Sequence, residues 1–599
     1  MNKKLIIMAA CMTALFSSTA FMSCDDDHFN IDPLVSGEGS LWQNISANPD
    51  LSEFASILSR VYYSKSEKET TDRTYADMLG SDQTFTLWAP KNGTFEFEKW
   101  DEMLKSGDRE QIWKVENELI RNCMTRYRHV LNGDKKEDIY LFNGKVADFD
   151  CGQRTINETD IIEANIGSGN GIIHMTDGSI NYLNNMYEYI NNHESLTKLS
   201  AFFRKFDKTV FSESASTQGP TIDGEITWVD SVTFLSNSYF NPFYLDAYIN
   251  REDSNYVMVL PTDDLWDTEY EKMKSYFHYL PTYNQTVVTV AADGTSSSDV
   301  LTTKFTDQEI DSITDFRTCD AIARNLCFNA NYQYGHDYKE MATEGACDSI
   351  QSTSGIIFYD PNSAALFNHV TPVRVSNGWA YVVDQFNYKM EDTWLKERKL
   401  EAEMMFESYD YCSIASYNLN NIGNPWNYLS AEEVAKLGPD FVKPDSLMEG
   451  RAIRIIPTRT TANPTVKFRL PNTLSCKYDI IAILPYNTSA GKPYQLRAYL
   501  NYHSTKANQD RIQLKPIEGV NGTGNYFRTK TPHVDEKGYL QFSDSLLLCS
   551  DYKFPVSYYG IQDAYVTLEL NSYLLTSQRN TYTNEFFVDK IILIPKENE

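Results

Sequence analysis

Two segments of this chain, about two hundred positions apart, spell one pattern. Residues 167–177 read GSGNGIIHMTD and residues 377–384 read NGWAYVVD. Superposed, an Asn-Gly pair, an apolar or aromatic run and a closing Asp coincide. A tight Asn-Gly turn leading into a buried strand is thus made twice, and internal repetition constrains architecture before any single residue constrains chemistry. A duplicated scaffold of this kind points to a binding protein rather than an enzyme.

The flanking sequence extends the repeat. Asn48-Pro49-Asp50 is a helix start signal, followed by Leu51, Phe54, Ile57, Leu58 and Val61 at helical spacing. Thr84 to Pro90 reads as a buried strand stopped by proline, and an amphipathic helix is expected from about Ile112 to Tyr127. Short strands follow near Ile139–Phe142 and Ile161–Ala164. In the second pass Leu196, Leu199, Phe202, Phe203 and Phe206 mark the helix, Tyr256 to Pro261 the proline-stopped strand, and residues 316–328 a further helix. Insertions near 212–242 and 282–305 stretch this copy.

These residues resemble fasciclin-type domains, whose strand signature runs roughly T-x-F-x-P-T/S-N-x-A-F and whose late signature is N-G-x-I-H-x-x-D. The first copy carries Thr84, Phe85, Ala89, Pro90, Asn92 and Phe95, then Asn170, Gly171, Ile173, His174 and Asp177. Tyr127 and His129, with Arg128 between them, stand at the family's central Tyr-His step. The second copy keeps Pro261, Thr262, Asn377, Gly378 and Asp384, with Tyr381 in place of the late histidine and Asn331-Tyr332 at the central step. The resemblance covers about 50–185 and 196–390 and stops before the last third. It implies α+β domains used in adhesion to proteins or glycans, with no general catalytic site.

The N-terminal stretch MNKKLIIMAACMTALFSSTAFMSC has a basic start at Lys3 and Lys4 and an apolar run too short to span a bilayer, the pattern of a secretory signal. Phe21-Met22-Ser23-Cys24 resembles a lipobox, so Cys24 is the expected lipidation site, and Asp25-Asp26-Asp27 resembles a surface-export signal. The expected location is the outer membrane, lipid-anchored and facing the exterior, with membrane contact through the lipid alone. A formal charge of −28, with two lysines lost in the signal, repels nucleic acid and anionic headgroups, so no nucleic-acid partner is expected.

Past residue 410 the pattern changes to strands, at Val466–Leu470, Tyr478–Leu484, Leu496–Tyr502, Tyr539–Phe542, Val566–Leu570 and Phe586–Ile594. Such spacing with Gly, Asn, Pro and Ser between strands implies a β-sandwich, and the closing FFVDKIILIP resembles the last strand of jelly-roll domains related to carbohydrate-binding modules. The expected fold class is therefore α+β, with two tandem fasciclin-type domains followed by an all-β jelly-roll-like sandwich. The boundaries are a signal peptide at 1–23, an acidic tether at 24–47, repeats at 48–185 and 196–390, a connector helix at 391–409 and the sandwich at 410–599.

Motif chemistry argues against a catalytic reading. There is no HExxH and no CxxC, so neither a zinc site nor a redox pair is indicated, and no metal or cofactor is expected. No G-x-S-x-G elbow is present. Gly167, Gly169 and Gly171 precede a strand rather than a helix, so they read as turn residues and not as a phosphate loop. Asp263 and Asp264 lack a surrounding calcium-loop pattern and read as a solvated acidic turn. His129 and His174 fall in the family motifs, and a histidine on a buried strand usually satisfies backbone carbonyls. Five Asp-Ser tripeptides, beginning at Asp230, Asp311, Asp348, Asp445 and Asp544, resemble O-glycosylation acceptors but are also ordinary turn pairs. Trp426, in a polar and turn-rich segment, is the best candidate for ligand contact, whereas Trp88 and Trp379 lie in motif strands. The expected function is non-catalytic adhesion, or binding of a surface protein or glycan. The alternative is glycan capture for an outer-membrane polysaccharide-uptake system, with a transporter complex as partner.

Overall fold

In the computed structural model the described residues are 35–66, 69–211, 213, 217–222, 225–230, 233–290, 296–330, 338–343, 345–359, 365–409, 414–421, 451–487, 489–503, 510–530, 533–534, 540–541 and 543–598. The signal segment, Cys24, Asn331-Tyr332 and Trp426 lie outside them.

Each repeat is built on two adjacent parallel strands. In the first, β1 (Phe85–Pro90) runs beside β7 (Gly171–Thr176), pairing Phe85 with Gly171 through to Pro90 with Thr176. In the second, β8 (Tyr256–Pro261) runs beside β11 (Gly378–Val383), pairing Tyr256 with Gly378 through to Pro261 with Val383. All six residues of β1, β7 and β8 are buried, as the near-continuous apolar runs demand of strands covered on both faces.

The Asn-Gly pairs explain why the same register is made twice. Asn170 Oδ1 accepts the N–H of Leu41 (2.7 Å), at the start of helix α1 (Leu41–Ala47), while its Nδ2 donates to the carbonyls of Leu79 (2.9 Å) and Ser81 (2.6 Å). Asn377 repeats this at the start of helix α3 (Met186–Asn192), with Met186 N–H at 2.7 Å and the carbonyls of Ile249 (2.9 Å) and Arg251 (2.7 Å). A Cβ on the following glycine would lie 2.1 Å from the Phe85 carbonyl oxygen at position 171, and 1.8 Å from that of Tyr256 at position 378. Only glycine lets the neighbouring strand approach so closely.

A second pair of side chains works in parallel. Asn92, two residues past Pro90, accepts the Glu53 N–H (3.0 Å) at the start of helix α2 (Ser52–Arg60). Asp263, two residues past Pro261, accepts the N–H groups of Thr197 (3.2 Å) and Lys198 (2.8 Å) at the start of helix α4 (Thr197–Arg204). Asp263 is therefore a helix-capping carboxylate and not a solvated turn residue. Its charge also suits the positive end of that helix.

Beyond this shared frame the copies diverge. In the first, β2 (Met124–Arg126), β3 (Lys136–Tyr140), β4 (Val146–Asp150), β5 (Thr155–Ile156) and β6 (Thr159–Ser168) extend the sheet to the order β2-β1-β7-β6-β5-β4-β3. The helix expected to reach Tyr127 yields to strand at Met124, after a π-helical turn at Val115–Ile120. In the second copy the corresponding sheet has, among the described residues, four strands, β9 (Cys327–Asn329), β8, β11 and β10 (Val373–Val375), in the order β9-β8-β11-β10. Its insertions form β-hairpins, such as Thr282–Val290 with Ser296–Lys304.

Two expected boundaries are corrected. Residues 41–47, assigned to the tether, form α1, which buries Leu41 and Ile45 and starts with a Ser40–Gln43 capping box. Two apolar residues one turn apart are too few to show a period. The expected connector helix at 391–409 is instead a short helix at Glu391–Trp394, strand β12 (Arg398–Glu401), one helical turn at Ala402–Met405 and strand β13 (Phe406–Tyr409). Its charge spacing suits a helix, but the edges of two sheets take up its backbone hydrogen bonds instead.

Those two sheets are antiparallel. One has the order β12-β22-β15-β20, with β15 (Lys477–Pro485), β20 (Ser543–Lys553) and β22 (Lys590–Lys596). The other runs β13-β14-β21-β16-β19-β18, with β17 (Asp510–Gln513) also on β16; its strands are β14 (Thr465–Leu470), β16 (Gln495–Tyr502), β18 (Gly522–Thr523), β19 (Tyr526–Arg528) and β21 (Val566–Ser572). Alternate residues such as Ile480, Ala482 and Leu484 enter one core with Phe468, Leu500 and Leu568. β20 was not read from the sequence because its polar ends mask the Leu546/Leu548 alternation.

The first repeat has its own apolar core, from Leu41 to Ile180, whereas the second repeat and the C-terminal sheets share a single one. At that shared boundary Trp394 stacks on Phe277 (5.5 Å between centroids), and buried Glu391 accepts from Lys272 Nζ (2.7 Å). The first repeat meets the second through Lys145, nearly buried, whose Nζ reaches Glu188 (2.5 Å) and Glu252 (2.8 Å). Cys123, Cys151, Cys319, Cys327, Cys476 and Cys549 are unbridged, and burial pushes the thiols of Cys123, Cys319 and Cys327 up to about 12.

Asn377→Ala leaves one helix-start N–H and two buried carbonyls unpaired. It is expected to destabilise the second repeat by about 2–4 kcal/mol, read as a lower urea midpoint. Asn377→Asp, which keeps the acceptor but turns a carboxylate oxygen toward the Ile249 and Arg251 carbonyls, should be at least as destabilised as that variant.

Candidate functional site

The long sheet of the first repeat curls until its two ends meet. Phe142 N–H donates to the Met124 carbonyl (2.8 Å) and Thr125 Oγ1 to the Tyr140 carbonyl (2.5 Å), so β2 and β3 touch at one end and part at the other. Between them lies a cleft of about 590 Å³. Phe142 and Tyr63 give it an apolar floor, and Arg126, Tyr127, Asp138 and Tyr140 stand at its rim.

Tyr127 and Tyr140 are 62% and 65% exposed, unusual for side chains of this size beside an apolar floor. Tyr127 also has φ +66°, the left-handed region that a bulky side chain rarely adopts. Its backbone is pinned there from both sides. Its N–H donates to the Thr84 carbonyl (3.3 Å), and its own carbonyl accepts from Thr86 Oγ1 (2.8 Å). The same Thr86 oxygen accepts the His129 N–H (2.9 Å). The strain at this exposed aromatic residue on the cleft is thus held in place by surrounding bonds.

Beneath the floor is a charged network. Glu116, fully buried, accepts from Ser64 N–H (2.7 Å), the Tyr75 hydroxyl (2.8 Å) and Arg121 Nη2 (2.8 Å). Burial, then the Glu116 charge, hold the Tyr75 phenol well above its usual range, so it stays a donor. The Arg121 guanidinium lies 5.2 Å from the Tyr63 ring centre and 6.0 Å from that of Phe142. Each group of the network is satisfied by another, so it stiffens the cleft floor.

The sequence-derived site residues divide between frame and cleft. Pro90, Asn92, Asn170, Gly171, Pro261, Asn377 and Gly378 are all in the frame described above. Asp177 and Asp384 are exposed at the ends of β7 and β11. His174 is fully buried, stacked on Trp88 (5.8 Å between centroids), with Nε2 2.9 Å from the His129 carbonyl oxygen and Nδ1 accepting the Asn165 N–H (3.3 Å). That places its proton on Nε2 and leaves the ring neutral. His129 alone among them lines the cleft, its Nδ1 3.6 Å from Glu137 Oε1. Asp138 and Tyr140 went unread. The alternation around buried Ile139 in β3 puts them on one face, but only the curl of the sheet brings that face beside β2. Among the described residues no three His, Cys, Asp or Glu side chains gather as a metal site.

No family model and no curated protein matches the chain. Among solved structures it is similar to the CBM22-1–GH10 modules of Clostridium thermocellum xylanase 10B (10% identity, 34% of this chain and 29% of that one, TM-score 0.18). It is also similar to a family 11 carbohydrate-binding module from that organism (14% identity, 34% and 98% covered, TM-score 0.16). A third is the CBM22-2 xylan-binding domain of Paenibacillus barcinonensis Xyn10C (10% identity, 33% and 99% covered, TM-score 0.17). The match thus spans under a third of that two-module chain, and overlaps this weak fix no ligand.

Burial pulls His174 from 6.5 down to about 4. Between those values the unfolded chain binds a proton there that the folded chain refuses. Stability is therefore lost as pH falls through that window, by roughly 3 kcal/mol in total, and this contribution levels off below it. His174→Gln should flatten the dependence between pH 6.5 and 4 in urea titrations.

Proposed function

We propose that this chain is a non-catalytic glycan-binding protein of the cell surface that holds its sugar in the cleft of the first repeat. The observation that carries the reading is Tyr127, fixed in a strained backbone and exposed opposite Tyr140 over an apolar floor. Tyrosine faces stack on the C–H faces of a sugar ring, and Arg126, Asp138 and the phenol hydroxyls supply hydrogen-bonding partners for its hydroxyls. The cleft volume lies within the range of small-ligand sites.

The two repeats are fasciclin-type domains, followed by a jelly-roll-like sandwich, and lipid on Cys24 tethers the chain to the outer membrane with its body outside. A transporter complex for the captured glycan is the partner this reading implies.

The test is affinity electrophoresis of the mature chain through gels holding a panel of neutral polysaccharides. Retardation by at least one is expected, with retention weakened about tenfold or more by Tyr127→Ala or Tyr140→Ala. Tyr127→Gly should weaken binding while raising stability by up to about 1 kcal/mol, since it relieves the left-handed backbone. Full retention in both alanine variants refutes the cleft as the site.

A further inference from the structure

The outer face of the sheet β13-β14-β21-β16-β19-β18 carries a second arrangement of tyrosine, this time with arginine. Strand register sets the residues in two rows across β14, β21 and β16: Lys467, Glu569 and Tyr499 in one, and Arg469, Thr567 and Asn501 in the other, with Arg511 next to Asn501. One strand along, Arg528 pairs with Gln495. The alternation in β14, β16 and β21 sends Phe468, Ala498, Leu500 and Leu568 inward and leaves these polar residues on the opposite side.

Each arginine lies over a phenol ring. Arg497 is 3.7 Å from the Tyr573 centroid and 4.8 Å from that of Tyr526, and Arg511 is 3.5 Å from that of Tyr499. Arg469 is 5.1 Å from Tyr565, and Arg528 is 5.5 Å from Tyr582. A guanidinium held against a ring keeps its donor edge available for a planar anion, with less side-chain entropy to lose. The carboxylates among these residues are already engaged. Glu569 accepts from Arg511 at 2.5 and 3.2 Å, and Glu407 accepts from the Tyr565 hydroxyl at 2.8 Å. Among the described residues of this face, then, five cations stand against two carboxylates. The whole chain carries −28, so the face is a local reversal of sign.

The geometry points to this face as a second glycan site, for an acidic polysaccharide bearing a carboxylate on its sugar rings. Arg511 is held by Glu569, so Lys467, Arg469, Arg497 and Arg528 are left to meet the ligand, Arg497 and Arg528 standing on the neighbouring strands β16 and β19. A stiff polyuronate presents planar carboxylates in a line. The planar, bidentate fork of arginine matches a carboxylate, and the tyrosines beneath supply apolar surface to the ring faces. The general repulsion of the chain for anions confines such a ligand to this face.

The experiment measures retention of the full mature chain in gels of polygalacturonate and of its fully methyl-esterified form, at low and moderate salt. Retention by the acid form alone, weakened by salt, is expected, with a drop of about tenfold in Arg497→Gln/Arg528→Gln. Arg469→Gln, at an exposed position in contact with the Tyr565 ring, should weaken it severalfold and guards against misfolding of the double variant. Tyr127→Ala should leave polygalacturonate retention intact, so failure of the cleft reading and of this one are separable. Equal retention by the esterified polymer, binding of dextran sulfate without polygalacturonate, or full retention in Arg469→Gln and the double variant would each overturn the assignment.

Discussion

The two repeats depend on one side chain used twice. Asn170 and Asn377 each join three backbone groups that are distant in sequence: the first N–H of a helix and two carbonyls of the segment entering the first parallel strand. The glycine that follows allows the neighbouring strand to approach within the space a Cβ would need. Parallel strands lack the local hairpin that sets register in antiparallel pairs. Here a buried amide sets it, and its three hydrogen bonds are expensive to lose in a dry interior.

From the same frame the copies take different courses because their chain length is placed differently. The first adds strands between β2 and β7, and the sheet curls until β3 meets β2. A closed seam would satisfy both edges; the partial closure leaves the cleft. The second copy adds hairpins and turns its aromatic residues toward the C-terminal sheets. Tyr276, Phe277 and Trp394 pack there with Tyr559, and Lys272 neutralises Glu391 at their edge. One core results where the sequence suggests two domains. The first repeat stays separate, held by the Lys145 ion pairs and its own interior.

On the two proposed surfaces tyrosine would serve two different chemistries. In the cleft the rings stand exposed over an apolar floor, suited to an uncharged ring. On the outer sheet face they lie 3.5 to 5.5 Å from guanidinium groups, suited to an anion. Both depend on rigid β structure that fixes the aromatic side chains before any ligand arrives, which reduces the entropy lost on binding.

By itself the sequence determined the local and periodic features: the doubled Asn-Gly strand, the proline-stopped partners, most strands of the last third and the absence of common catalytic motifs. These follow from residue type and spacing within a few positions. What the tertiary structure decided is whatever depends on surfaces meeting across long separations. Asp138 and Tyr140 become cleft residues only because a curled sheet returns β3 to β2. The stretch at 391–409 becomes two edge strands because the open edges of two sheets compete with its helical charge spacing. The arginine face exists only through a register set across strands far apart in sequence. Periodicity specifies which face a side chain takes, and packing alone specifies what that face meets.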